Sequence, residues 1–246
     1  MRKYIYSIFL LGLFSCQEEG VVQYTQEKDG LQFSANSSED MTKVFNFATA
    51  TYEEEINGEP KTFYYGDSLA AYTFERVVLD LQGFPTPDER EYKLKTVLVE
   101  DQDSSKVAEV VFEPYYSLAP NQLKDTIKIT VLRPKTRGTY TVGITVDTEG
   151  KGAFFDKGVV EKSILRLDIK DVYEQPEGWD ERQEWLGEFD EEKYAFMVTV
   201  SKQAFSKENN HMWNETDKYN LELREALDEF NANAAPEDRK LSLIHI

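Results

Sequence analysis

Between residues 41 and 173, apolar and polar side chains alternate with a period of two, in short runs parted by turn residues. Val44, Phe45 and Phe47 open the series. Residues 72–81 form a longer run with Val77, Leu79 and Leu81 on one face. Tyr92, Leu94, Thr96 and Leu98 alternate next, and residues 107–112 are short and apolar. Residues 123–132 set Ile127, Ile129 and Val131 against Lys128 and Thr130. Tyr140, Val142, Ile144 and Val146 alternate cleanly, as do Leu165, Leu167 and Ile169 with Arg166, Asp168 and Lys170. This pattern predicts about seven strands, each with one wet and one dry face. Asn57-Gly58, Gly83-Phe84-Pro85, Arg137-Gly138, Glu149-Gly150 and Lys157-Gly158 supply the turns. Short strands with no helices between them predict a mainly β fold, an antiparallel β-sandwich over residues 41–173.

At Gln175-Pro176-Glu177-Gly178 the period changes. Asp180 is placed to cap a helix that runs to Leu186, with Gly187 past its end. Asp190 is a second cap, with Glu191 and Glu192 in the favourable first turn of a helix to about Ser206. The strongest helical stripe is Tyr219, Leu223, Ala226, Leu227 and Phe230. Residues 174–240 therefore read as a small α-helical C-terminal subdomain. The final segment, residues 241–246, resembles one translated frame of a sequencing adaptor. It is set outside the fold, and the natural C-terminus is expected elsewhere.

The first fifteen residues have another purpose. Arg2 and Lys3 precede an apolar run from Tyr4 to Phe14, the two parts of a secretory signal. That run is shorter than the roughly 20 residues that cross a bilayer. It ends Leu13-Phe14-Ser15-Cys16, which resembles a lipobox cut before Cys16. Cys16 is the only cysteine, and acylation gives it a role. Several acyl chains on one residue anchor firmly, where one binds reversibly. Residues 16–40 read as a lipidated tether with an early strand over 30–34. Gln17-Glu18-Glu19 resembles the signal that sends Bacteroidota lipoproteins to the cell surface. The expectation is a protein of the outer membrane, held by its lipid and facing the medium.

Charge narrows the partners. The formal net charge is −18, and losing Arg2 and Lys3 with the signal takes the mature chain to −20. Nucleic acid, whose phosphates demand a basic surface, is excluded. A polybasic lipid patch is excluded as well. Aromatic residues make up 13% of the chain and include fourteen tyrosines, too many for a disordered segment. Most serve the core; exposed ones suit ligands with flat apolar faces such as sugars.

Signatures of catalysis are missing. There is no paired-histidine zinc motif, no glycine-rich phosphate loop and no Gly-x-Ser-x-Gly elbow. His211, in a loop, is the sole histidine available as a base within the fold. Acylation consumes the only thiol. With 46 acidic residues, chance carboxylate pairs carry no information about glycoside hydrolysis. Asp101-Gln102-Asp103-Ser104-Ser105 offers alternating oxygens for Ca²⁺, without the glycine and bidentate Glu of an EF-hand. The reading is a non-enzyme without cofactor or metal. Three aromatic pairs flank loops: Tyr64-Tyr65, Tyr115-Tyr116 and Phe154-Phe155. Neighbours in a strand face opposite ways, so one of each pair suits the core and the other a ligand. Tyr64, Tyr65, Tyr115 and Tyr116 are the candidate binding residues. Trp179 and Trp185 read as a clamp between the helical part and the sandwich.

Trp179, Glu184-Trp185-Leu186-Gly187-Glu188-Phe189 and Lys193-Tyr194 resemble a motif of a Bacteroidota lipoprotein family, domain of unknown function family 4843. Leu79-Asp80-Leu81-Gln82-Gly83 and residues 127–133 are similar too, so the resemblance covers most of the mature chain. It implies an immunoglobulin-like β domain followed by an α-containing part, in a lipoprotein associated with outer-membrane nutrient uptake. It implies no catalytic residue. The expected function is accessory binding of a glycan or peptide, with docking on an uptake complex. The alternative is a structural or adhesive module of the cell envelope.

Overall fold

A computed structural model describes residues 28–35, 41–149, 153–202 and 216–234. Cys16 with the signal and most of its tether, His211 and residues 241–246 lie outside the described residues. In chain order the elements are β1 (Gly30–Phe33), β2 (Thr42–Asn46), β3 (Thr51–Ile56), β4 (Glu59–Tyr64), β5 (Ala71–Gln82), β6 (Arg90–Tyr92) and β7 (Leu94–Val97). There follow β8 (Val110–Val111), β9 (Tyr116–Leu118), β10 (Lys124–Leu132), β11 (Gly138–Val146), β12 (Asp156–Lys157) and β13 (Leu165–Asp171). The helices are α1 (Gln183–Leu186), α2 (Glu191–Ser201) and α3 (Thr216–Asn233).

The fold is mainly β. One sheet has the order β12-β1-β5-β10-β8, the other β2-β13-β11-β7. Leu31, Phe33, Leu79, Ile129 and Val131 from the first meet Val142, Ile144, Leu165, Leu167 and Ile169 from the second in one buried core. Each such side chain removed from water contributes about 1.5–3 kcal/mol. Within β5 the inward phase changes. Tyr72 and Phe74 face the core at even positions, Val77, Leu79 and Leu81 at odd ones. A bulge opposite the step from Ile127 to Ile129 makes the switch, since one extra residue flips every following side chain.

The single strand predicted over 92–98 is broken at Lys93. β6 pairs with β9, and β7 pairs with β11. The apolar run 107–112 contributes only the two-residue β8. The expectation of one wet face per strand is corrected on β11. Thr141 and Thr145 point away from the core yet are buried. Thr145 Oγ1 donates to the carbonyl of Ser163 (2.8 Å), and Gln102 Nε2 donates to the carbonyl of Thr141 (2.6 Å). Loops thus roof part of the outer face.

The sandwich has two unlike ends. β1 begins at one of them, where β5 and β11 finish: Gly30 pairs with Gln82, and Val146 with Leu94. This is the loop end. At the other, the helical end, β11 starts and β13 finishes, and a second core gathers Ala48, Tyr64, Tyr173, Trp179, Leu186, Tyr194, Met197, Val198 and Leu223. The β3–β4 hairpin also roots there, through Tyr64 N donating to the carbonyl of Lys202 (2.8 Å). Its Asn57-Gly58 turn takes φ of 56° and 82°, as a two-residue hairpin turn requires. Asp190 caps α2 as predicted, accepting from Lys193 N at 2.8 Å, and the helix stops at Lys202 in a left-handed conformation. Asp180 does not cap. Its carboxylate accepts from Gln175 Nε2 (2.7 Å), and the chain makes a 3₁₀ turn before α1.

Candidate functional site

A groove of 340 Å³ lies at the loop end, between the end of β6 with Lys93, the residue before β9 and the residues that flank the link from β11 to β12. Period-two geometry shapes it. In each aromatic pair one ring turns inward and its neighbour outward. Phe155 is buried and Phe154 is 53% exposed; Tyr116 is buried and Tyr115 is 55% exposed. Tyr115 and Phe154 both line the groove. Behind them Tyr92 stacks on Tyr116 (5.5 Å between centroids) and meets Phe155 edge-on (6.2 Å). The Arg90 guanidinium lies 4.6 Å above the Phe155 ring and pairs with Asp29 at 2.6 Å. The exposed rings therefore stand on a packed base.

Polar groups complete the lining: Glu91, Lys93, Asp147 and Glu149. Lys95 Nζ holds Asp147 Oδ1 at 3.0 Å and Glu149 Oε1 at 3.2 Å. Its hydrogen bond keeps the Asp147 carboxyl below the usual carboxylate range, and the two acids keep Lys95 above the usual ammonium range. Asp147 is thus held in place as a hydrogen-bond acceptor, and Glu149 stands exposed beside it. The Tyr92 hydroxyl donates to Asp125 Oδ2 at 2.7 Å, and burial, more than that bond, pushes it well above the usual phenol range.

The sequence candidates part company here. Tyr64 is buried at the helical end, its hydroxyl 2.7 Å from that of Tyr194. Tyr116 is buried behind the groove, its hydroxyl accepting from Glu113 N at 3.3 Å. Tyr65 and Tyr115 face outward, at opposite ends. Tyr65 lies 4.8 Å from the Tyr52 ring, which stacks on Phe63 at 5.7 Å, making an aromatic face on the hairpin. The run Glu53-Glu54-Glu55 after Tyr52 and Lys61-Thr62 before Phe63 hide both rings from a hydrophobicity pattern. Lys93, Lys95, Asp147 and Glu149 carry no motif; their only signal is position at strand ends beside a turn.

The 101–105 segment uses its oxygens internally. Asp103 Oδ1 accepts from Ser105 N (2.8 Å) and Ser105 Oγ (2.7 Å), which holds its carboxyl low. Among the described residues no three potential metal ligands cluster. The Trp–Leu-Gly–Lys-Tyr residues pack on each other. Trp179 Nε1 donates to the Gly187 carbonyl at 3.1 Å. Lys193 Nζ donates to the carbonyls of Leu186 and Glu188 and lies 5.7 Å from the Trp179 ring centroid. Burial lowers the Lys193 ammonium pKa, and Asp190 partly offsets this. The motif ties a knot around α1 and α2.

A family model described as a domain of unknown function, DUF4843, matches residues 68–203. No curated protein matches the chain. Among solved structures, the apo-form Calx CBD1 domain superposes over 59% of this chain and 98% of its own, at 11% identity and a TM-score of 0.34. Bacteroides thetaiotamicron EndoBT-3987 with a Man5GlcNAc product superposes over 57% and 30%, at 10% identity and a TM-score of 0.34. A Bacteroides ovatus GH5 xyloglucanase in complex with a XXXG heptasaccharide superposes over 61% and 22%, at 13% identity and a TM-score of 0.27.

Proposed function

The chain belongs to the DUF4843 family, and we propose that it is a binding protein, held to the outer membrane of a Bacteroidota cell by lipid on Cys16. Its ligand is a glycan or glycan-like chain met at the loop-end groove, and its context is nutrient uptake. The observation that carries this reading is the convergence of Tyr115 and Phe154 on one groove, with Asp147 held beside them as an acceptor. Exposed rings take the apolar faces of sugars, and a few placed polar groups take their hydroxyls.

An immunoglobulin-like sandwich is the finer reading of the fold. β1-β5-β10-β8 follows the order A-B-E-D, and β13-β11-β7 the order G-F-C. Tyr140, near the start of β11, donates its hydroxyl to the Thr136 carbonyl at 3.0 Å, in the manner of the tyrosine corner of that fold. A non-enzymatic role fits the Lys95 hydrogen bond that holds the Asp147 carboxyl low, because a general acid needs a raised pKa. The second reading, an adhesive or structural module, is favoured by the Tyr52–Phe63–Tyr65 face.

A thermal-shift screen with glycans and peptides tests the assignment, since a ligand of the folded state raises Tm. A dose-dependent rise with one glycan class is expected. Tyr115→Ala and Phe154→Ala should abolish it while changing the stability of the free protein by less than about 0.5 kcal/mol, as surface substitutions do. A rise that survives both substitutions moves the ligand elsewhere, and no rise across the panel favours the adhesive reading.

A further inference from the structure

We propose that one edge of the loop end, the loops after β5 and before β10, touches the lipid surface, with Phe84 and Leu123 entering the interface between headgroups and acyl chains. The proposal rests on the lipid-anchor part of the function above and does not depend on the ligand of the groove.

The first observation is where the chain comes from. Lys28 Nζ donates to the Ala153 carbonyl (3.1 Å), Asp29 pairs with Arg90, and Asp156 N donates to the Asp29 carbonyl (2.9 Å). The described chain thus starts pinned against the loop end. From Gly30 back to Cys16 the polypeptide spans at most about 50 Å, so a chain acylated at Cys16 enters the fold at this end and lets it reach the bilayer.

The second observation is what that end exposes. Phe84, in the loop after β5, is 71% exposed, and Leu123, before β10, is 52% exposed. The two loops touch, with Asn121 N donating to the Thr86 carbonyl at 2.8 Å. Leucine and phenylalanine gain by leaving water. The mature chain, with a net charge of −20 once Arg2 and Lys3 are lost, is not drawn to anionic lipid. The contact is therefore apolar, and it holds equally on zwitterionic lipid and at high salt.

The test uses the full acylated protein in phosphatidylcholine vesicles. Acylation occupies the native thiol, so Phe84→Cys, Leu123→Cys, Asn57→Cys and Glu225→Cys each offer one site for an environment-sensitive fluorophore. Flotation of the wild type, and loss of flotation in Cys16→Ser, reports the anchor separately. At positions 84 and 123 we expect blue-shifted emission and severalfold stronger quenching by a bilayer-restricted quencher than at 57 and 225, unchanged at high salt. Four probes in an aqueous environment on protein that floats overturn the proposal and leave the anchor intact. Equal shielding at both ends overturns it also. A wild type that does not float overturns the anchor, and the proposal with it.

Discussion

Tyr140 closes the turn into β11 through its hydroxyl, which donates to the Thr136 carbonyl and lies 2.6 Å from Thr136 Oγ1. Tyr140→Phe removes both contacts and keeps the ring. We expect a loss of about 1 kcal/mol in urea unfolding, the net value of an ordinary hydrogen bond. Tyr92 makes a pH-dependent contribution. Burial first, and the Asp125 hydrogen bond second, raise its folded pKa above the unfolded value. The stability it provides is fully present below about pH 10 and is lost as pH climbs beyond the unfolded pKa. Urea midpoints measured from pH 8 to pH 11 should fall for the wild type, and less steeply for Tyr92→Phe.

At the scale of elements, packing decides what sequence pattern cannot. β10 and β13 were legible because alternation and burial coincide along them: Ile127, Ile129 and Val131 all face inward; β11 was legible from its alternation alone, since both its faces are buried from Thr141 onward. The β3–β4 hairpin was not, although its Asn57-Gly58 turn was plain. Most of its side chains are exposed on both faces, so no apolar period marks the strands. β5 was half legible, because the bulge reverses the phase of Tyr72 and Phe74. The binding candidates divide in the same way. Inward and outward rings follow from strand geometry, but nothing in the sequence says that Tyr115 and Phe154 meet. Gly143 shows tertiary constraint where the pattern is silent. A Cβ there would come within 2.6 Å of Val99 and 2.9 Å of Ile164 and Val97. Gly143→Ala is expected to cost about 1–3 kcal/mol by overpacking, read from the urea midpoint.

Across the whole molecule, a charged staple fastens the sandwich to the segments that lead into its helical end. Arg133 binds Asp171 through two nitrogens, at 2.8 and 3.0 Å, and also reaches the Gly66 carbonyl and Asp67, both at 2.8 Å. Arg137 joins the same two acids at 3.1 and 3.2 Å. The bond to Asp171 raises the Arg133 pKa further, so the cation persists at any working pH. Asp171 is buried, and Asp171→Ala leaves a poorly solvated guanidinium behind; such a break costs about 3–5 kcal/mol. Hydrogen exchange should show where this appears. We expect amides of α2 to lose protection well before those of β5 and β10, and a uniform loss would show that the two cores unfold as one unit.

The pairing of β2 with β13 bears on how the protein carries load. The strands run parallel over Thr42–Asn46 and Arg166–Lys170, with the chain entering β2 from the N-terminal side and leaving β13 towards the helices. Tension from an anchored N-terminus that passes β1 and reaches β2, opposed at the helical end, would slide these strands lengthwise past each other. Their hydrogen bonds would then be strained together, as in a lap joint, and not opened one by one like a zipper. Rupture under tension is governed by the unfolding barrier and not by the equilibrium stability. A tethered protein pulled from its helical end would therefore hold to forces at which a peeled sheet of equal stability gives way.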